Sequence, residues 1–172
     1  MAIYYPDGSN SSSGRHVQVS TASSSTYTMI TSTSYANFSN HYVDITPKSN
    51  GNRLVGTFTA YLNNRDNDPD SRVKFKVQEQ VTVGGYTYYI DIYFPNLNEG
   101  ADSHQWITKA AGNGSTDTDF WQPITLQWVR TIPSSGRAGV SHRYQLQGGI
   151  NSTNADSIKS LGFSGSIMEV TV

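Results

Sequence analysis

The sequence predicts an all-β chain: a single antiparallel β-sandwich, jelly-roll-like, with an extended N-terminal arm. Three observations carry this. Apolar residues recur at every second position in segment after segment, which is the period of a half-buried strand. Paired glycines and clusters of Pro, Asn, Asp and Ser fall between those segments, where chain reversals belong. No stretch holds a convincing 3.6-residue period, and only Ala155–Leu161 has room for a single helical turn.

The arm comes first. Residues 1–25 are polar, with Pro6-Asp7-Gly8 as a turn signal and Ser9–Ser13 made of Ser and Asn alone. Inside this leader His16-Val17-Gln18-Val19 alternates, so Val17, Gln18 and Val19 are the residues that would add a strand to a partner protein. A disordered tail is the competing reading. The sandwich is assigned to 26–172. Tyr42-Val43-Asp44-Ile45-Thr46 alternates and stops at Pro47, and Arg53–Leu62 is a long run rich in β-branched and aromatic residues. In the next strand Val73, Phe75 and Val77 share one face while Lys74, Lys76 and Gln78 share the other. Gly84-Gly85 closes a hairpin onto Tyr86–Phe94, because a tight hairpin turn needs positive φ at both central residues. The remaining strands are Ile124–Ile132, Val140–Gln147 and Phe163–Val172. In the last of these, Met168, Val170 and Val172 read as the apolar face, alternating with Ile167, Glu169 and Thr171.

Composition narrows the function. Hydrophobic residues are only 35% of the 172, charged residues 15%, and Ser, Thr and Asn fill the deficit. Eleven Tyr, six Phe and three Trp supply aromatic area for a core and for a surface. The net charge is −1 and the Lys and Arg are scattered singly, with no basic patch, so no nucleic-acid partner is expected. There is no cysteine, which excludes disulfides and thiolate zinc sites. No apolar run is long enough to span a bilayer, and the first residues lack a signal-peptide plan. Synthesis in a cytoplasm, with release by lysis, is the expectation.

The stretch from Thr31-Ser32-Thr33-Ser34-Tyr35 through Val43-Asp44-Ile45-Thr46-Pro47-Lys48-Ser49 to Arg53-Leu54-Val55 resembles a domain common in cyanophage virion proteins. So do the closing Gly165-Ser166-Ile167-Met168-Glu169-Val170 and the leader's Val17-Gln18-Val19. These matches anchor both ends of the chain, whereas none of the family's motifs occurs between Asn63 and Gln122. The resemblance implies a jelly-roll-like sandwich, usually a homotrimer, in phage fibres or capsid decorations on the outside of the virion.

Catalytic motifs are missing. Gly162-Phe163-Ser164-Gly165 falls one residue short of a nucleophile elbow, and Gly112-Asn113-Gly114 lacks a third glycine and a following helix. His16, His41, His104 and His142 are isolated in sequence and read as solvated or hydrogen-bonded rather than as ligands. No catalytic residue is assigned and no enzyme is expected. Asp66, Asp68 and Asp70 alternate like the front half of a calcium loop. Ser71 then stands where that loop needs glycine and Val77 where it needs a bidentate Glu, so a Pro-stiffened turn outweighs calcium and no other cofactor is expected. On the Tyr86–Phe94 hairpin, alternation groups Tyr88, Ile90, Ile92 and Phe94 as core. That leaves Tyr89, Asp91 and Tyr93 facing out, for a sugar or for a neighbouring subunit. Trp128 alternates with Leu126 and reads as core.

Two functions follow. The main expectation is a trimeric capsid decoration or cement protein whose arm clamps the major capsid protein. The alternative is a tail-fibre or head-fibre domain that recognises a host surface glycan.

Overall fold

The computed structural model describes residues 16–65, 72–92, 105–108, 121–150 and 157–172. The ten regular elements among them are all strands: β1 (His16–Ser24), β2 (Thr28–Ile30), β3 (Ala36–Ile45), β4 (Arg53–Arg65), β5 (Arg72–Val83), β6 (Tyr86–Asp91), β7 (Gln105–Thr108), β8 (Trp121–Thr131), β9 (His142–Ile150) and β10 (Ser157–Val170). They form two antiparallel sheets. The first runs β1-β10-β4-β8, with β2 continuing the β1 edge along β10; the second runs β3-β9-β5-β6, with β7 on the same edge of β5. The chain passes from one sheet to the other at most of its connections, as in a jelly roll.

Alternation sets which side chains meet between the sheets. From β4 come Leu54, Phe58, Ala60 and Leu62, and β5 supplies Val73, Phe75 and Val77; β8 adds Leu126 and Trp128, and β9 adds Tyr144 and Leu146. Phe58 stands edge-on to both Trp128 (centroids 4.7 Å apart, planes at 88°) and Phe163 (4.8 Å, 86°), the favoured geometry for aromatic quadrupoles. Gly56 makes this possible. A Cβ there would lie 2.2 Å from the Trp128 ring, so the indole lies directly against β4 backbone. The Gly84-Gly85 turn has φ of 59° and 82°, as the paired-glycine signal requires.

Three expectations need correction. The sandwich begins at His16 rather than residue 26, because β1 pairs along β10 from His16↔Val170 to Ser24↔Phe163. Gln18 and Val19 are therefore in register with this chain's own Glu169 and Met168, while Val17 occupies the bulge. The reason is that β10 is a central strand and needs a neighbour on each side. Second, the faces of β10 are reversed: Ile167 and Glu169 are fully buried, while Met168 and Val170 lie half-buried on the outside. Period two decides which residues share a face, not which face is inside. Third, Ser157–Leu161 belongs to β10, so no helical turn forms there. Asp66, Asp68, Asp70 and Tyr93 lie outside the described residues.

Candidate functional site

Two polar assemblies depart from the ordinary polar exterior of a sandwich, and the first is inside it. Glu169 points between the sheets and its carboxylate is held by neutral donors alone. Asn52 Nδ2 (2.6 Å), Lys48 N (2.9 Å) and Ser49 N (3.3 Å) reach Oε1, and Gln18 Nε2 (2.7 Å) reaches Oε2. Gln18 also donates to Thr46 O at 2.6 Å, so β1, the 46–52 turn and β10 are tied through one carboxylate. Burial pushes the Glu169 carboxyl up, but these four donors outweigh it and hold it below its ordinary value. Glu79 on β5 is equally buried, and His142 (2.7 Å) and Arg130 (2.9 Å) each take one of its oxygens. His41 is buried too, between Ser39 O and Ser160 Oγ, both at 2.7 Å. Two of the four histidines are thus internal, and both are hydrogen-bonded.

The second assembly covers the outer face of the β3-β9-β5-β6 sheet. Cross-strand register lays its side chains in rows: Tyr42–Gln145–Gln78–Asp91 and, beside it, Asp44–Arg143–Gln80–Tyr89. A third row is Asn37–Gln147–Lys76. Arg143 forks onto Asp44 (2.9 and 3.0 Å) with its guanidinium 3.9 Å from the centre of the Tyr42 ring. The bond to Asp44 raises the Arg143 pKa above its ordinary value. Asp91 accepts from Lys76 Nζ (2.7 Å) and Gln78 Nε2 (2.9 Å). Gln147 Nε2 then donates to Gln78 Oε1 (3.1 Å) and Asn37 Oδ1 (2.8 Å). At one end Lys74 and Lys76 hold their ammonium groups 4.7 and 4.3 Å from the centre of the Tyr35 ring. At the other, Tyr89 is 62% exposed.

This arrangement offers planar aromatic faces beside a connected carpet of amides. Its carboxylates, Asp44 and Asp91, each have a cationic partner on the same face, which leaves little attraction for a free ion and much capacity to exchange hydrogen bonds with hydroxyls. Gln145 is the exception, since its amide turns inward to Phe38 O (2.8 Å) and His41 O (3.1 Å) and braces the irregular stretch of β3 where Asn40 has φ of 60°.

Of the residues singled out from sequence, Tyr89 and Asp91 do share this outer face, whereas Tyr88, expected in the core with Ile92, is exposed on the edge strand β6. Val17, Gln18 and Val19 lie on the β1 edge of the other sheet. No group of three or more metal-ligating side chains occurs among the described residues. No protein-family model and no curated protein matches the chain. Nine chains of solved structures do. One is the CBM22-1 xylan-binding domain of Paenibacillus barcinonensis Xyn10C, 10% identical, with a TM-score of 0.37 over 93% of this chain and 97% of that one. Another is a family 16 carbohydrate-binding module, 10% identical, with a TM-score of 0.27 over 80% of this chain and 70% of that one. Likeness this distant carries neither family nor ligand to this chain.

Sequence reasoning missed Tyr42, Arg143, Gln80 and Gln147, which come from three strands far apart in the chain. A signal did exist for the buried network. Glu79 continues the inward series Val73, Phe75, Val77 and is followed by Val81, and a carboxylate in such a register demands internal partners.

Proposed function

We propose that this chain is a non-catalytic glycan-binding domain that takes a neutral stretch of polysaccharide on the outer face of the β3-β9-β5-β6 sheet. The supporting observation is the ladder of internally paired polar groups, Asp44–Arg143 and Lys76–Asp91–Gln78–Gln147–Asn37, on the same face as the Tyr42 and Tyr89 rings. Aromatic rings accept the apolar faces of pyranose rings, and amides and paired carboxylates accept and donate to ring hydroxyls. The buried carboxylates Glu79 and Glu169 have both oxygens engaged, which favours binding over hydrolysis. A glycan array followed by calorimetry on the best ligand is the test. Tyr89→Ala should weaken binding roughly five- to tenfold, each lost stacking contact costing on the order of 1 kcal/mol. Because Tyr89 is 62% exposed, the fold should not suffer. Unchanged affinity in that variant, or no glycan bound at all, refutes the proposal.

The setting we propose, from the sequence resemblance, is the exterior of a tailed-phage particle, where such a face would read a host surface glycan. A trimeric capsid decoration protein is the second reading, and one observation favours it. Val19, Met168, Val55 and Val129 stand in a single cross-strand row over the outside of the β1-β10-β4-β8 sheet, with Val19 50% and Val129 62% exposed. An apolar stripe of that kind suits burial against a second copy of the chain. Light scattering should give three chains for the wild type and one for Val129→Lys. A monomeric wild type refutes the trimer.

A further inference from the structure

Where β5, β8 and the 133–141 loop meet, one carboxylate faces an excess of positive charge. Arg130 Nε donates to Glu79 Oε2 at 2.9 Å, and Arg137 Nη1 approaches Oε1 at 3.8 Å, an ion pair but too long for a hydrogen bond. His142 Nδ1 lies 2.7 Å from the same Oε1 and its Nε2 lies 3.1 Å from Arg137 O. Whatever the tautomer of that ring, two guanidinium groups share a single buried carboxylate among the described residues. Pairing Glu79 needs only one of them.

The second guanidinium is also short of hydrogen bonds. Arg137 Nη1 is shielded from water and has no acceptor. Its loop is nevertheless firmly placed: Gly139 N donates to Pro47 O and Ala138 N to Asn50 Oδ1, both at 2.8 Å. Gly136 and Gly139, with φ of 73° and 76°, make the two left-handed bends that turn Arg137 inward. Beside it the Tyr88 ring lies 5.3 Å from the guanidinium carbon, and Tyr86 and Tyr88 are 73% and 46% exposed along the same edge strand. Two partly exposed guanidinium groups that share one carboxylate, next to solvent-facing aromatic rings, fit an oxyanion carried on an apolar-faced ring.

We propose that Arg130 and Arg137 form a subsite for a singly charged oxyanion, the carboxylate or sulfate group of an acidic saccharide, with Tyr86 and Tyr88 against the sugar. This goes beyond the glycan-binding face, since Tyr86 and Tyr88 lie on the side of β6 opposite Tyr89, and rests on that reading only for the nature of the carrier. A uronate or sulfate balances the charge around Glu79, which a neutral sugar does not.

The test compares an acidic oligosaccharide (a uronate oligomer and a sulfated one) with its carboxyl-reduced or desulfated counterpart by calorimetry, on wild type and Arg137→Gln. Inorganic sulfate and free glucuronate are titrated in parallel, with the arginine Nε resonances followed by NMR. The expected result is at least a tenfold preference for the charged form. Arg137→Gln should erase that preference while keeping the neutral affinity and the wild-type melting temperature. The uronate and sulfate arms tell the two anions apart. Equal affinity for charged and neutral forms, or a preference that survives Arg137→Gln, overturns the subsite and leaves glycan binding standing. Movement of the Arg130 and Arg137 resonances by the free anions, with no oligosaccharide bound, keeps the anion site and overturns the glycan reading. If Arg137→Gln destabilises the fold, Arg137→Lys keeps the charge but loses the fork and should lower the preference; an undiminished preference there also counts against the subsite.

Discussion

Replacing Glu79 by Gln tests the internal network most directly. The side chain is fully buried, its Oε1 accepts from His142 at 2.7 Å, and its Oε2 accepts from Arg130 at 2.9 Å. Gln offers one acceptor oxygen where Glu offers two. Its amide nitrogen must then face either His142 Nδ1–H or Arg130 Nε–H, donor against donor, and the cations lose their counter-charge. Removing one partner of a buried ion pair costs about 3–5 kcal/mol. In a domain of this size each kcal/mol lowers Tm by roughly 2–4 °C, so the melting temperature at pH 7 should fall by roughly 6–20 °C. The pH dependence provides a second readout. Burial pushes the Glu79 carboxyl up, yet the bonds and charges of His142 and Arg130 outweigh it and hold it below its ordinary 4.5. A carboxyl lowered in the folded state contributes its stability above the unfolded value and loses it as pH falls through the folded one. The difference between wild type and variant should therefore be full at pH 7 and shrink progressively as pH falls below the ordinary 4.5. Calorimetry and urea titration across that range measure both. A loss under about 1 kcal/mol at pH 7, the size of an exposed pair, would refute the reasoning, as would a gap that persists undiminished at pH 3.

Gly56→Ala should cost about 1–3 kcal/mol or more in urea unfolding, because its Cβ would fall 2.2 Å from the Trp128 ring and force Phe58 and Trp128 apart. Removing residues 167–172 should abolish the folded state, seen as loss of the near-ultraviolet circular dichroism signal, because it strips buried Ile167 and Glu169 from the centre of a sheet. Burial lowers the His41 pKa, with the Ser39 carbonyl opposing, so its NMR titration midpoint should lie below 6.5. With a lowered imidazole value the unfolded chain takes up the proton first, so His41 costs no stability above 6.5 and an increasing amount as pH falls below it.

The sequence by itself determined the all-β class, the parity of most strands and the paired-glycine turn, because these depend on residues one or two apart. Val73, Phe75 and Val77 had to share a face, and Tyr89 and Asp91 had to share the opposite one, whatever the sheets did. Which face would be inside was a tertiary matter wherever both faces carried apolar side chains. On β10 the Met168–Val170 set reads as apolar and Ile167–Glu169 as mixed. The sandwich nevertheless buries Glu169, because Gln18, Asn52 and two backbone amides from distant segments converge on it. The leader's Val17-Gln18-Val19 reads as a free strand until β10 shows an open side for it to cover. The candidate sites follow the same logic. Tyr42, Arg143, Gln78 and Tyr89 lie on four strands, and Glu79, Arg130, Arg137 and His142 on three strands and a loop. Only cross-strand register over separations of tens of residues brings such side chains within hydrogen-bonding distance, and register between distant strands is set by the packed core rather than by local sequence.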